Sequence, residues 1–125
     1  LADSTTVFGT DGEGIGSAIA LVGDVDGDGL DDVALGAPLL DSADQDAGGA
    51  YVISMADWMA GTGDLSLPVD AWGFISGESW GDRSGTAVLG ADMNGDGKVD
   101  TLMGSPGMNN PEGGIDDGGV LIWLR

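Results

Sequence analysis

The chain has 125 residues, enough for one domain, and its 42% hydrophobic content is sufficient for a core. Its 22 acidic and 3 basic residues give a net charge of −19, which argues against nucleic acid as a partner because phosphates would be repelled. With no His and no Cys, a Ser-His-Asp or Cys-His catalytic group, a zinc site of the usual composition and a disulfide are excluded.

The residues in excess point to turns and cations. Nearly all of the acid is Asp, and there are 25 Gly. Ordinary usage of about 7% would give about nine Gly in this length. Asp favours turns and oxygen-ligated metal sites, and Gly permits tight turns. The composition therefore predicts a loop-rich β protein that binds cations.

The first half of the chain has the pattern of short strands between Gly-rich or Asp-rich turns. We predict strands at residues 6–8, 16–23, 33–38 and 50–53. The second of these, GSAIALVG, lacks strict alternation of apolar and polar residues, and we therefore expect it to be covered on both faces.

Residues 54–71 separate this series of strands from a second one. Residues 55–59 are compatible with one helical turn, and a strand is predicted at residues 72–77 after the segment. The apolar side chains of the segment favour a small satellite core over a ligand-binding surface. They are Trp58, Met59, Leu65 and Leu67.

The loop DVDGDGLDD, at residues 24–32, lies between two of the predicted strands. Its carboxylates alternate with residues that can turn tightly, so four of them are expected to face one point. These are Asp24, Asp26, Asp28 and Asp32. Such crowding requires a cation, and an all-oxygen ligand set suits calcium before magnesium.

A near copy of this loop, DMNGDGKVD, stands at residues 92–100. At the matching positions it carries Asp92, Asn94, Asp96 and Asp100. Both loops open as an EF-hand loop does, but Leu35 and Met103 stand where that loop has a bidentate Glu, and strands follow where it has a helix. The alternative is that both are solvated Asp-Gly turns. Two copies in matching surroundings favour metal sites.

Four markers recur in the same order and define an internal repeat. They are GSAIALVGD at 16 and GTAVLGAD at 85, the two Asp loops, GAP at 36 and GSP at 104, and GGAYVI at 48 and GGVLIW at 118. Each unit then holds about four short strands, which predicts propeller blades.

This series of motifs resembles the FG-GAP repeats of integrin α-subunit propellers and their bacterial relatives, and the resemblance covers both units. It implies that the main-chain carbonyls of Leu30 and Lys98 join the side-chain ligands at two Ca²⁺ sites. The Phe-Gly pair of the family is degenerate, and we take Ile15-Gly16 and Trp80-Gly81 as its representatives. Propellers of this family resemble closed rings of about seven blades, whereas this chain has two.

We therefore predict one all-β repeat domain over residues 1–125. It consists of two antiparallel four-stranded β-propeller blades of the FG-GAP type with Asp-rich calcium loops. The units span about 7–57 and 72–125 and are joined by 58–71. No catalytic residue is predicted.

The sequence bears on three classes of function. An enzyme is disfavoured, because the Glu residues are scattered among turns and the Asp clusters are better explained by calcium. A loop surface with Trp58, Trp72 and Trp80 could bind a glycan or a protein, although blade packing also explains these residues. The preferred interpretation is a calcium-binding structural or adhesive module, extracellular or at the cell surface. The alternative is a ligand-binding propeller fragment of a larger adhesin.

The order of the strands predicts assembly with further blades or further copies. Residues 6–8 are expected to be the fourth strand of a preceding blade, and the second unit stops at its third strand, residues 119–124. A neighbouring copy could add its residues 6–8 to that open edge, head to tail, giving a ring or a filament. The remaining blades of a parent protein could do the same. Since the sequence has no apolar membrane span and no leader and begins at Leu1 without Met, we expect a processed mature chain or an excised fragment.

Overall fold

The computed structural model describes residues 5–60, 64–68 and 70–125. As predicted, the fold is all-β and mostly antiparallel, with one short helix in place of the expected single turn. The elements are β1 (Val7–Phe8), β2 (Ile19–Gly23), β3 (Asp32–Gly36), β4 (Gly49–Ile53), α1 (Met55–Ala60), β5 (Leu65–Ser66), β6 (Gly73–Ser76), β7 (Ala87–Ala91), β8 (Asp100–Ser105) and β9 (Gly119–Trp123).

The first sheet is a four-stranded antiparallel blade with the order β2-β3-β4-β6. Ile19 lies opposite Leu35 across β2 and β3, and Tyr51 lies opposite Phe74 across β4 and β6. The rings of Tyr51 and Phe74 are 5.0 Å apart, within the range in which aromatic pairs attract each other. The fourth strand of this blade is thus supplied by the segment that leads into the second repeat.

The second sheet, with the order β7-β8-β9, has three strands, so the prediction of two four-stranded blades is wrong for the second unit. The boundaries of the repeats and of the sheets do not coincide along the chain. The fourth strand of the first sheet is β6, which comes only after the segment that follows β4. Only Leu124 and Arg125 follow β9 in this sequence, too few to return as a strand. Among the described residues, β8 is the one strand that pairs with β9.

The third sheet is a parallel pair, β1 and β5, with Val7 opposite Leu65. A strand at residues 6–8 is confirmed, but it pairs within the chain with the segment between the two units. Leu65 donates its N–H to the carbonyl of Thr6 at 2.9 Å, and Leu67 donates to Phe8 at 2.8 Å. This segment folds back because its apolar side chains pack on the first sheet.

One face of the first sheet carries the larger core cluster, with Val33, Leu35, Tyr51 and Ile53 at its centre. The segment predicted to form a satellite core covers this face. Leu67 is buried in the cluster, and Trp58 and Leu65 pack against it, whereas Met59 is 74% exposed. The helix α1 and the pair β1–β5 therefore cover the part of this face that β3 and β4 form, and leave the part that β2 forms open.

The other face of the first sheet packs against the second sheet. Val22, Ala34 and Val52 form a cluster that Val88 of β7 contacts, and β2 lies against β7. The backbones approach closely, since a Cβ at Gly90 would lie 1.9 Å from the carbonyl oxygen of Leu21. This is the contact between successive units.

The expectation that β2 is covered on both faces is wrong. Ile19 and Leu21 are 66% and 59% exposed, whereas β3 and β4 are buried along their whole length. The two exposed side chains share a face with Leu35 and Val33, to which they are paired. The elements that cover this face are β1, β5 and α1. They pack over β3 and β4 and leave β2, at the edge of the sheet, uncovered.

Candidate metal centre

The first Asp loop turns between β2 and β3 and brings three of its carboxylates together. One oxygen from each of Asp24, Asp26 and Asp28 lies within 4.8 Å of the other two. Asp26 and Asp28 are exposed and Asp24 is half-buried. The group is therefore accessible to an ion and to the waters that complete its coordination.

Asp24 fixes the shape of the loop. Its Oδ1 accepts hydrogen bonds from the N–H groups of Gly27 (2.6 Å) and Asp28 (3.0 Å), and its Oδ2 accepts one from Gly29 (2.9 Å). Gly27 and Gly29 have φ of 87° and 92°, a region that disfavours other residues. Partial desolvation raises the pKa of Asp24, but the three N–H groups and the charge of Arg125 outweigh it, so the pKa lies below the usual 3.8.

Asp26 and Asp28 each keep one oxygen available. Oδ1 of Asp26 accepts the N–H of Asp28 at 3.0 Å, and Oδ1 of Asp28 accepts the N–H of Leu30 at 2.7 Å. Within the described part of the chain, no hydrogen bond reaches Oδ2 of either side chain. Calcium takes about six to eight oxygen ligands, several of them commonly carboxylates and waters. The residues present therefore fit calcium.

Asp32 is oriented differently from the other three predicted side-chain ligands of this loop. It is fully buried at the start of β3, where its Oδ2 accepts the N–H of Val25 at 2.8 Å and its Oδ1 accepts the N–H of Met55 at 2.9 Å. It does not belong to the cluster of three carboxylates. Its role as a calcium ligand stays a prediction, and its present contacts tie the loop to the residue that begins α1.

The second loop repeats these contacts between β7 and β8. Asp92 accepts the N–H groups of residues 95 and 96 at 2.6 and 3.2 Å and that of residue 97 at 2.9 Å. Asp100 is fully buried and accepts the N–H of Met93 at 2.9 Å and that of Arg125 at 3.0 Å. Two loops of the same backbone geometry therefore sit at equivalent positions of the two sheets.

Asn94 makes the second loop different. Its Nδ2 donates to Oδ2 of Asp96 at 3.0 Å, so an oxygen that stays available in the first loop is occupied here. The N–H of Lys98 binds Oδ1 of Asp96 at 2.9 Å. This bond first, and then the Asn94 amide, hold the pKa of Asp96 below 3.8 against partial desolvation. The second loop thus has two acids, Asp92 and Asp96, at the positions where the first loop clusters three.

The Phe-Gly position of the second repeat falls at Ser84-Gly85, not at Trp80-Gly81 as predicted. Gly16 and Gly85 make the same contact, since each donates its N–H to the first Gly of the GAP or GSP motif, at 2.9 and 3.2 Å. A Cβ at Gly85 would lie 2.0 Å from the carbonyl oxygen of Gly49. The position therefore requires glycine because another backbone passes against it.

Two buried acids were missed by the sequence reasoning. Glu13 accepts the N–H of Thr10 at 3.1 Å, and Asp82 accepts the N–H of Ser79 at 2.8 Å, in the turns that precede β2 and β7. A Ser or Thr three residues before an acid is the signal that both repeats share. Burial, and then the charge and hydrogen bond of Glu13, raise the pKa of Tyr51 above its usual 10.0.

Together, the blades and the two loops define a β-propeller-type repeat module. Residues 16–53, which contain β2 to β4 and the first Asp loop, match the family model of the FG-GAP repeat. Residues 16–53 are thus an FG-GAP repeat, and the predicted resemblance is confirmed for the first unit. No curated protein matches the chain. In the described residues, no helix is long and apolar enough to cross a membrane.

Proposed function

We propose that this protein is a calcium-binding, non-enzymatic structural or adhesive module of an extracellular or cell-surface assembly. The observation that carries the proposal is the cluster of Asp24, Asp26 and Asp28, whose negative charges are held together by backbone hydrogen bonds. The same loop recurs 68 residues later with Asp92 as its first residue. Two Ca²⁺ ions would neutralise this charge and stabilise the turns that join consecutive strands.

The face of the second sheet that is turned away from the first supports assembly with a further blade. Val88 packs on the first sheet, so Leu89, the next residue of β7, points to the opposite face. Leu89, Leu102 and Ile122 form a cross-strand row there. Leu89 and Ile122 are 57% and 54% exposed, although both are large and apolar.

The first sheet shows how the equivalent row is covered by the unit that follows it. Ala34 and Val52 stand at the positions of Leu102 and Ile122, and in the first sheet they are buried against the next unit. A second copy would repeat that contact if it placed its exposed Ile19 and Leu21 on the row. Apolar faces left open at the two ends of one chain thus favour a head-to-tail contact, which closes into a ring or extends as a filament.

The open edge of β9 supports the same arrangement. β9 corresponds to β4, and in the first sheet the outer edge of β4 is paired with β6. Within the described residues β1 pairs with β5 alone, and we expect its other edge to accept a neighbour's β9. We expect a second copy, or the further blades of a parent protein, to fill this place.

Isothermal titration with calcium tests the metal sites. We expect two ions to bind and Asp28→Ala to remove one of them. Asp31→Ala is the matched control, since Asp31 is an exposed acid of the same loop outside the cluster. If Asp31→Ala and Asp28→Ala reduce binding equally, the loop attracts calcium only by its total charge and the proposed site is wrong.

Light scattering at saturating calcium tests the assembly. Ile122→Glu and deletion of residues 1–9 should each convert an oligomer into monomers. Ile115→Glu is the control, because Ile115 is 82% exposed but lies outside the sheets. A well-folded, calcium-bound monomer at all concentrations would contradict assembly between copies and leave the calcium proposal standing.

A further inference from the structure

A pocket of about 260 Å³ opens between the two repeats, at the end of the strands opposite to the Asp loops. The Asp loops connect β2 to β3 and β7 to β8, whereas the loops that line the pocket connect β3 to β4, β6 to β7 and β8 to β9. The residues that line it include Asp46, Trp80, Arg83 and Asp116. Its position separates it from both candidate calcium sites.

Three of the lining residues have a positive φ although none is glycine. Asp46, Arg83 and Asp116 have φ of 52°, 54° and 52°, and they are the non-glycine residues with this conformation in the described ranges. Asp tolerates the left-handed region better than most residues, but Arg does so less readily. The first repeat has Gly14 at the position of Arg83, with φ of 69°. One of the chain's 3 basic residues is therefore held in a turn that suits glycine.

The loops around the pocket are fixed to one another by their backbones. Gly81 donates its N–H to Gln45 at 2.9 Å, Arg83 donates to Asp46 at 3.0 Å, and residue 107 donates to residue 82 at 3.1 Å. A Cβ at Gly107 would lie 1.9 Å from the carbonyl oxygen of Gly81, so these loops are in direct contact. Because these loops are already ordered, binding of a ligand in the pocket costs little conformational entropy.

The chemistry of the lining suits a molecule with an apolar face and several hydroxyl groups. Trp80 is 63% exposed and offers a flat ring, the carboxylates of Asp46 and Asp116 accept hydrogen bonds, and the guanidinium of Arg83 donates them. Two acids disfavour an anionic ligand. The one group of three acids close enough to hold a metal, among the described residues, lies in the first Asp loop.

We propose that this pocket binds a neutral pyranose unit of a glycan. The C–H face of the sugar packs on the indole of Trp80, its hydroxyls donate to Asp46 and Asp116, and Arg83 donates to a hydroxyl or ring oxygen. The pocket is below the about 300 to 1,000 Å³ usual for drug-sized ligands, so it accommodates one ring. The proposal is independent of the calcium sites.

The test is a titration of the full chain at saturating calcium with the methyl glycosides of glucose, galactose, mannose and N-acetylglucosamine. Binding is followed by tryptophan fluorescence and by the indole N–H signals in NMR spectra. We expect one of these sugars to bind with a dissociation constant on the order of 1 mM. Trp80→Ala should weaken binding by at least about tenfold, the loss of one aromatic contact.

Arg83→Gly is the second variant, and it keeps the fold because glycine suits the positive φ and stands at this position in the first repeat. It should also weaken sugar binding by about tenfold, roughly one hydrogen bond, and leave the calcium titration unchanged. Trp72→Ala is the matched control, since Trp72 is 47% exposed but lines a different pocket.

Three results would overturn the proposal. The first is that no glycoside perturbs the indole signal of Trp80. The second is that Trp80→Ala and Arg83→Gly bind sugar as the unchanged protein does. The third is that butylguanidinium binds to the two carboxylates while all the sugars fail, which would assign the pocket to a cationic ligand. None of them alters the expected calcium binding, so failure here is separable from failure of the metal sites.

Discussion

The carboxylate of Asp32 accepts a hydrogen bond from the backbone N–H of Met55, 23 residues further along the chain. Asp100 makes the same bond with Arg125, 25 residues further on. In each sheet, a buried acid of the Asp loop thus binds the chain just after the third strand. The Asp loop and the residue that follows the third strand are joined through this one side chain.

Replacing this acid should destabilise the protein even without calcium. Asp32→Asn leaves one of the two N–H groups without an acceptor and removes the charge from the other bond. Hydrogen bonds to charged groups contribute about 1.5–3 kcal/mol each, so we expect the free energy of unfolding to fall by about 2–3 kcal/mol. Urea unfolding in EGTA measures this without a contribution from metal. Asp31→Asn, an exposed neighbour, should change it by less than about 0.5 kcal/mol. Equal effects would contradict the structural role of Asp32.

Removal of calcium should lower the melting temperature. A ligand at about 100 times its dissociation constant adds about 2.7 kcal/mol to stability, and each kcal/mol shifts the melting temperature of a small domain by about 2–8 °C. Without the ion, the clustered carboxylates of Asp24, Asp26 and Asp28 repel one another. Calorimetry with and without EGTA, at low salt, measures the shift. An unchanged melt would show that the loops hold no stabilising ion.

The two sites should differ in their affinity for calcium, and a single substitution in either loop should reduce the difference. The first loop clusters three acids, whereas in the second Asn94 replaces one of them and its amide occupies an oxygen of Asp96. Asn94→Asp should therefore strengthen the second site, and Asp26→Asn should weaken the first. Calcium titration of both variants measures this. Asp28→Ala should remove the tighter ion and Asp96→Ala the weaker one, and the reverse order would refute the charge argument.

Stability should fall at high pH because of Tyr51. Burial, and then Glu13, raise its pKa above 10.0, so the folded protein retains the phenol proton after the unfolded chain has lost it. The contribution is fully present below pH 10 and is lost as pH rises through the raised pKa. Urea unfolding between about pH 8 and pH 11 should show this decline. Tyr51→Phe should remove it, and two parallel pH profiles would contradict the assignment.

The repeated motifs made most of the blade structure predictable. The spacing of the Asp loops and of GAP and GSP located β2 to β4 and β7 to β9, because each motif demands a particular turn beside an apolar strand. The pairing of β1 with β5 was not predictable, since strands of two residues carry no periodicity and tertiary packing decides their partners. In the same way, spacing predicted that Asp32 lies in the loop. Its burial depends on the pleat of β3, whose first residue it is.

The phase between repeat and sheet also has a consequence during synthesis. The outer edge of β4, which ends at Ile53, remains without its partner until Ser76 at the end of β6 has emerged from the ribosome. At about 5–20 residues per second this interval lasts about 1–5 s. Nascent chains on one polysome would present the same open edge at the same stage, and the negative charges of Asp57, Asp64 and Asp70 between β4 and β6 would disfavour pairing of two such edges.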